Sequence, residues 1–195
     1  MHGKYINKIK RKLGIPISYP SETSKVRSLV INFCNGYGCD IGFGGDKIKH
    51  NAIGIDFATP YASTGKDKVD IACDVINDAI PVEENTFDYV YSSHLIEDFE
   101  DTEAGLKKFI RVLKSNGNLV LVFPDQKVYE AICVRTGQPL NTYHKHAEMG
   151  LKFMKEKLNN LHDISYQVLF ESNCEIDYNV ILVIKIKKNG IDQTF

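Results

Sequence analysis

The sequence has no surplus of either charge. Its 24 Lys and Arg stand against 25 Asp and Glu, for a formal net charge of -1 and a pI near 6.6. No overall field therefore draws the chain to nucleic acid or to an anionic membrane. No run approaches the ~20 apolar residues of a membrane span, and the start lacks the charged-then-apolar layout of a signal peptide. A cytoplasmic protein is expected. Cysteine is sparse and unpatterned: Cys34, Cys39, Cys73, Cys133 and Cys174 are odd in number and never spaced as CxxC. That argues against a disulfide framework and a zinc site, and the five read as reduced, mostly buried small side chains. Internal repeats and low-complexity tracts are missing as well.

What remains is enough for one core. With 195 residues, 43% of them hydrophobic, the expectation is a single domain over residues 21–195 preceded by a basic arm at 1–20. Lys4, Lys8, Lys10, Arg11 and Lys12 crowd that arm around Tyr5, Ile6 and Ile9, before Gly14-Ile15-Pro16 breaks the pattern. It reads either as a solvated segment over the domain or as an amphipathic turn giving weak association with a phosphorylated or lipidic surface.

Apolar runs alternate with polar or helical connections at Cys39–Phe43, Ala52–Phe57, Val69–Val75, Phe87–Ser92, Leu119–Phe123, Ile164–Glu171 and Val180–Ile186. Such alternation predicts a mostly parallel α/β sheet. Leu106, Phe109, Ile110 and Leu113 repeat at i, i+3, i+4, i+7, predicting a helix over 103–114 capped by Asp101 or Thr102 and stopped by Ser115-Asn116-Gly117. Further helices are expected over 24–34 and 147–161. Only Asn173–Tyr178 separates the last two runs, too little for a parallel crossover, so they pair antiparallel or lie apart.

Chemistry concentrates in Asp40-Ile41-Gly42-Phe43-Gly44, where a strand ends in an acid and then a glycine turn that lets backbone approach a ligand. A second strand ends in Asp56-Phe57, a carboxylate suited to both hydroxyls of a ribose. A third ends in Asp74-Val75, offering an acceptor for an exocyclic amine and an apolar contact for a base; Asp74 also reads as a plain capping carboxylate. A fourth ends in Ser92-Ser93-His94. All four ends fall on the sheet edge where open α/β sheets bind ligands.

These segments resemble the class I S-adenosylmethionine-dependent methyltransferases, and among them the ubiquinone and menaquinone biosynthesis group. The resemblance runs from Tyr37 to Pro124 and includes Gly54-Ile55-Asp56, Cys73-Asp74-Val75, Phe87 through Asp98, Arg111-Val112-Leu113-Lys114 and Gly117-Asn118-Leu119. It implies a Rossmann-like seven-stranded, mostly parallel sheet with helices on both faces and an antiparallel last strand. It further implies S-adenosyl-L-methionine as cofactor, held by Asp40, Gly42, Phe43, Gly44, Asp56, Phe57, Asp74, Val75, Ser92 and Ser93. One departure stands out. Only 16 residues separate Asp40 from Asp56 and 18 separate Asp56 from Asp74, so the first crossover helices are expected to be shortened or lost.

The implied reaction is methyl transfer at oxygen or nitrogen of a small-molecule, sugar or lipid-linked acceptor. His94, His144 and His146 are the candidate catalytic residues, His94 as a general base and the other two in the polar loop 136–146 that follows the fifth strand. Asp125, Gln126 and Tyr129 either border that pocket or, for Asp125, cap a helix near Lys127. Two histidines at i, i+2 with Asp125 make too sparse a ligand set, so no metal is expected. No nucleic-acid partner is expected either, since Ser92-Ser93-His94-Leu95 replaces the Asn/Asp-Pro-Pro-aromatic turn of base methylators. Two alternatives stay open. A nicotinamide-dependent oxidoreductase would want a third glycine where Lys47 stands, and a non-catalytic scaffold would keep the fold without the cofactor.

Overall fold

The computed structural model describes residues 20–59 and 65–189; the basic side chains of the arm lie outside the described residues. Helix α1 (Glu22–Val30) and a 3₁₀ turn (Ile31–Phe33) precede strand β1 (Gly38–Ile41). Then come β2 (Ile53–Asp56), β3 (Ile71–Ala72), β4 (Phe87–Ser93), a 3₁₀ turn (Ile96–Asp98), α2 (Thr102–Val112) and β5 (Leu113–Pro124). The chain closes with α3 (Gln126–Thr136), α4 (Leu151–Asn159), β6 (Ile164–Ile176) and β7 (Asn179–Lys188). The seven strands form one sheet of order β3-β2-β1-β4-β5-β7-β6. Strands β1 to β5 pair in parallel, and β7 runs antiparallel to both β5 and β6.

Period-two alternation sorts each strand between two layers. On one face, Val90, Leu119, Leu121 and Leu182 pack against Leu106, Phe109 and Ile110 of α2 and Phe153, Met154 and Leu158 of α4. On the other, Tyr89, Tyr91, Val120, Val122 and Val183 pack against Val26 and Val30 of α1 together with Ile48 and Ala52. Asp101 caps α2 by accepting from the Ala104 amide at 3.1 Å. Asp125 does the same for α3 through the Val128 amide at 3.1 Å, and left-handed Gly137 ends that helix.

Several boundaries differ from the sequence expectation. Ser115-Asn116-Gly117 does not stop the helix: α2 ends at Val112 and β5 begins at Leu113, with Asn116 at φ 66° and a register slip between Phe87 and Tyr89. The strand over 69–75 contracts to two residues, and the helix over 147–161 begins only after Gly150. The closing pair is a hairpin turning at Asp177-Tyr178, with Asp177 at φ 54°.

The shortened crossovers have lost their helices among the described residues. Polar pins take their place. Arg27 donates to Asp46 Oδ1 at 2.6 Å and to the Lys47 carbonyl at 2.9 Å. The Lys47 ammonium pairs with Asp70, whose Oδ2 also accepts the Gly54 amide at 2.7 Å. Asp67 accepts the Lys47 amide at 2.9 Å. The two connections cross where Gly45 meets Gly65, so closely that a Cβ on Gly65 would fall 1.8 Å from the Gly45 carbonyl oxygen. Gly65→Ala is therefore expected to lower unfolding free energy by about 1–3 kcal/mol, as overpacking does. Urea titration checks this as a shifted midpoint at constant m; an unmoved midpoint would show that the crossing is not tight.

Candidate active site

Strand order reverses at β1, whose neighbours are β2 and β4, so the crevice beyond their carboxyl ends is the expected ligand position. Along that edge the chain places, in order, Asp74, Asp56, the glycine turn, and Ser93-His94. Gly42, Gly44 and Gly45 take φ of 72°, 57° and 84°, a region side chains rarely enter. At Gly42 a side chain is doubly barred, because its Cβ would lie 2.8 Å from Leu95 Cδ2.

Asp40 lies beneath this turn with no exposed surface and accepts the Ile48 amide through Oδ2 at 2.6 Å, while Oδ1 has no hydrogen-bond partner. Burial, with Asp46 and Asp56 nearby, pushes its pKa well above the carboxylate range against the pull of the Ile48 amide. Asp56 accepts the Gly44 amide through Oδ2 at 2.9 Å and the Phe57 amide through Oδ1 at 2.7 Å. A carboxylate offers about four lone-pair sites, so room for two hydroxyl donors remains. Burial raises the pKa of Asp56 as well. Phe43 is buried and Phe57 exposed. Asp74 caps its own turn, accepting the Asn77 amide at 3.2 Å and Nδ2 at 2.8 Å, and the Asn77 side chain foremost lowers its pKa. Val75 is buried beside it; the Ser92 hydroxyl donates to the Ile41 carbonyl at 2.9 Å, and Ser93 is buried next to His94.

The donor set decides what this edge suits. S-adenosylmethionine presents a sulfonium, an ammonium, a carboxylate, two ribose hydroxyls and an adenine amine, and all of these but the carboxylate suit an edge that carries Asp56 and Asp74. A dinucleotide needs helix amides for its pyrophosphate. Here no helix follows the glycine turn, the Gly44 amide is committed to Asp56, and Lys47 is turned onto Asp70. The residues fit the sulfonium nucleoside and oppose the nicotinamide alternative.

Beyond Ser93 the structure brings His94 and His144 together on a residue that sequence reasoning missed, Glu97. His94, at φ 54°, sets Nδ1 3.2 Å from Glu97 Oε1, and His144 Nε2 lies 3.8 Å from the same oxygen. Glu97 is 1% exposed and neither of its oxygens has an aligned hydrogen bond. His146 goes elsewhere: its Nε2 meets the Phe99 carbonyl at 2.9 Å and Thr102 Oγ1 at 3.0 Å, tying the loop to the start of α2.

Carboxylates, which only accept, orient the amides and hence the rings. Glu22 takes Asn179 Nδ2 at 2.9 Å, so Asn179 turns Oδ1 to His94, whose Nε2 must donate across 2.6 Å. Glu130 takes Gln126 Nε2 at 3.0 Å, so Gln126 turns Oε1 to His144, whose Nδ1 must donate across 2.8 Å. His94 then donates from Nε2 and turns Nδ1 to the Glu97 carboxylate, an arrangement that favours its cation, while His144 donates from Nδ1 and turns Nε2 to the same oxygen. The pKa directions agree. Burial works against charge on His94, but Glu97, Glu22 and Asn179 together raise it. Burial and the His94 charge lower His144, outweighing Glu97 and Glu130.

Residues 35–121 match the family model described as a methyltransferase domain. No curated protein sequence matches the chain. Among solved structures, a SAM-dependent methyltransferase of Thermotoga maritima superposes with a TM-score of 0.60 at 16% identity, over 95% of this chain and 97% of that one. One of Archaeoglobus fulgidus gives 0.58 at 18% identity, over 93% and 99%, and one of Mesorhizobium loti 0.57 at 13%, over 83% and 97%. At such identities the structures share the fold, and the family match covers the cofactor edge but not the loop carrying His144.

Because the His94 pKa is raised on folding, its contribution is fully present below the ordinary value of about 6.5 and is lost as pH climbs through the folded value. His94→Gln should cost roughly 3–5 kcal/mol on the acid side, as breaking a buried pair does, and less above neutrality. Denaturation midpoints of both proteins between pH 5.5 and about 9 check this; a gap that stays constant would mean the ring folds neutral.

Proposed function

We propose that the chain is a class I S-adenosylmethionine-dependent methyltransferase and that it methylates a small-molecule, sugar or lipid-linked acceptor at oxygen or nitrogen. The observation that carries the reading is the carboxylate-lined edge with no helix amides behind its glycine turn. It suits a cationic nucleoside without phosphates.

When bound, the cofactor supplies a methyl group on a positively charged sulfur. Asp56 would accept the ribose hydroxyls, and Asp74 with Val75 would meet the adenine. The left-handed Gly42 and Gly44 clear space for the methionine end, over the turn that Asp40 anchors. Ser93 and His94, at the end of β4, border the reacting side. Transfer is an in-line displacement, so the chain's main contribution is to hold the acceptor atom on the axis of the methyl–sulfur bond and to exclude water. Small polar acceptors fit a near-neutral surface better than nucleic acid does.

Calorimetric titration with S-adenosylmethionine and S-adenosylhomocysteine tests the reading. Binding in the micromolar range, worth ~8 kcal/mol, is expected, and Asp56→Ala should weaken it tenfold or more, ~1.4 kcal/mol. Failure of the unaltered chain to bind either compound would overturn the enzyme reading in favour of a scaffold.

A further inference from the structure

Resting on that reading, we infer that Lys108 is a positioning residue for the base end of the cofactor: through two peptide groups it fixes the Asp74 carboxylate, and so sets the preference for a base that carries an amine.

The connection after β3 carries no helix among the described residues, and α2 holds it from one side. Lys108 donates to the Val75 carbonyl at 2.8 Å and to the Ile76 carbonyl at 2.7 Å, and Arg111 donates to the Ile80 carbonyl at 2.5 Å. Residues three apart on a helix share a face, so both cations reach the same connection. The Lys108 ammonium also stands 5.7 Å from the centre of the Phe99 ring, itself packed edge-on against Phe109. An ammonium donates and never accepts, and here it spends two donors on neighbouring carbonyls.

Those carbonyls decide where two amides point. In a trans peptide the C=O and the following N–H face opposite ways, and no peptide bond among the described residues is cis. With the Val75 and Ile76 carbonyls drawn to Lys108, the Ile76 and Asn77 N–H groups turn away from α2, toward Asp74. The Asn77 amide reaches Asp74 Oδ1 at 3.2 Å, while the Asn77 side chain holds Oδ2 at 2.8 Å. The Asn77 side chain foremost, then the Asn77 and Ile76 amides and the Lys108 charge, lower the Asp74 pKa against the effect of burial. The carboxylate is thus ionised and held at both oxygens, yet it is only half-buried, with lone-pair sites left over for a ligand.

A carboxylate only accepts. Opposite an exocyclic amine it gains a hydrogen bond; opposite a keto oxygen, two acceptors meet. Hypoxanthine, the deaminated form of adenine, differs in that way and in carrying a hydrogen on the neighbouring ring nitrogen. A carboxylate free to swing would move to that ring hydrogen and take either base. One held at both oxygens cannot follow, so the rigidity that Lys108 gives the turn separates the two bases.

Calorimetric titration of the intact chain with S-adenosylhomocysteine and S-inosylhomocysteine reads this as a ratio of affinities. The unaltered chain should prefer the adenine compound by about tenfold or more, the scale of one hydrogen bond to a charged group. Lys108→Met keeps the stem against Phe99 but removes the donors, and should bring the ratio near unity; Lys108→Arg, which keeps a charged donor, should restore most of the preference. Asp74→Asn, whose amide both donates and accepts, should flatten the ratio as well, and adding Lys108→Met to it should change the ratio no further. Should Lys108→Met not fold, Lys108→Gln decides by the same ratio. Equal affinities in the unaltered chain, a Lys108→Met chain that binds both compounds more weakly at an unchanged ratio, or a further change of ratio in the double variant would overturn the inference while leaving the cofactor reading intact. An unaltered chain that binds neither compound would overturn the cofactor reading, and the inference with it.

Discussion

The return from β1 to β2 must cover the width of a strand within the residues between Ile41 and Ile53, near the lower limit for a parallel crossover. No room is left for a helix with its own hydrogen bonds, so side chains make the connection rigid. The buried Asp40 carboxyl draws down the Ile48 amide, Arg27 clasps Asp46, and Lys47 reaches Asp70. These pins shape the glycine turn, and the turn in turn hands the Gly44 amide to Asp56. The proposed cofactor edge thus inherits its geometry from polar contacts under the loop, where a longer crossover would use the packing of a helix.

At the other side of the crevice the organising principle is a chain of oriented amides. Glu22 and Glu130 each fix an amide, each amide fixes a ring, and the rings turn different nitrogens, Nδ1 of His94 and Nε2 of His144, to one carboxylate. His94 is thereby placed as a titratable counter-charge to Glu97, although its position at the strand end makes it the obvious base from sequence.

Where the residues of the proposed cofactor side stand was legible in the sequence because its signals are local. Asp56 and Asp74 stand at the ends of apolar runs, glycines mark the turn, and the period of Leu106, Phe109 and Ile110 marks a helix face. The antiparallel last strand came from family resemblance and the strand order was not read at all, since periodicity says nothing about which strands are neighbours. The surroundings of Glu97 were hard to read for the same reason. Glu97 sits in an acidic stretch, Glu97 through Asp101, that looks like solvated surface, yet it is buried beside His94 and the loop that carries His144 and Lys145. Asn179 and Glu22 lie 157 residues apart in sequence and meet only because β7 inserts beside β5. His144 and His146 share a face in any simple extended reading, yet one turns to Glu97 and the other to Phe99.

His144 belongs to the segment between α3 and α4, while Glu97 belongs to the sheet side, and the Lys145 amide bonded to the Glu97 carbonyl at 3.0 Å joins them. Docking of that segment and the meeting of imidazole and carboxylate are one event. Any change that displaced the segment would therefore part the imidazole from the carboxylate without altering either residue.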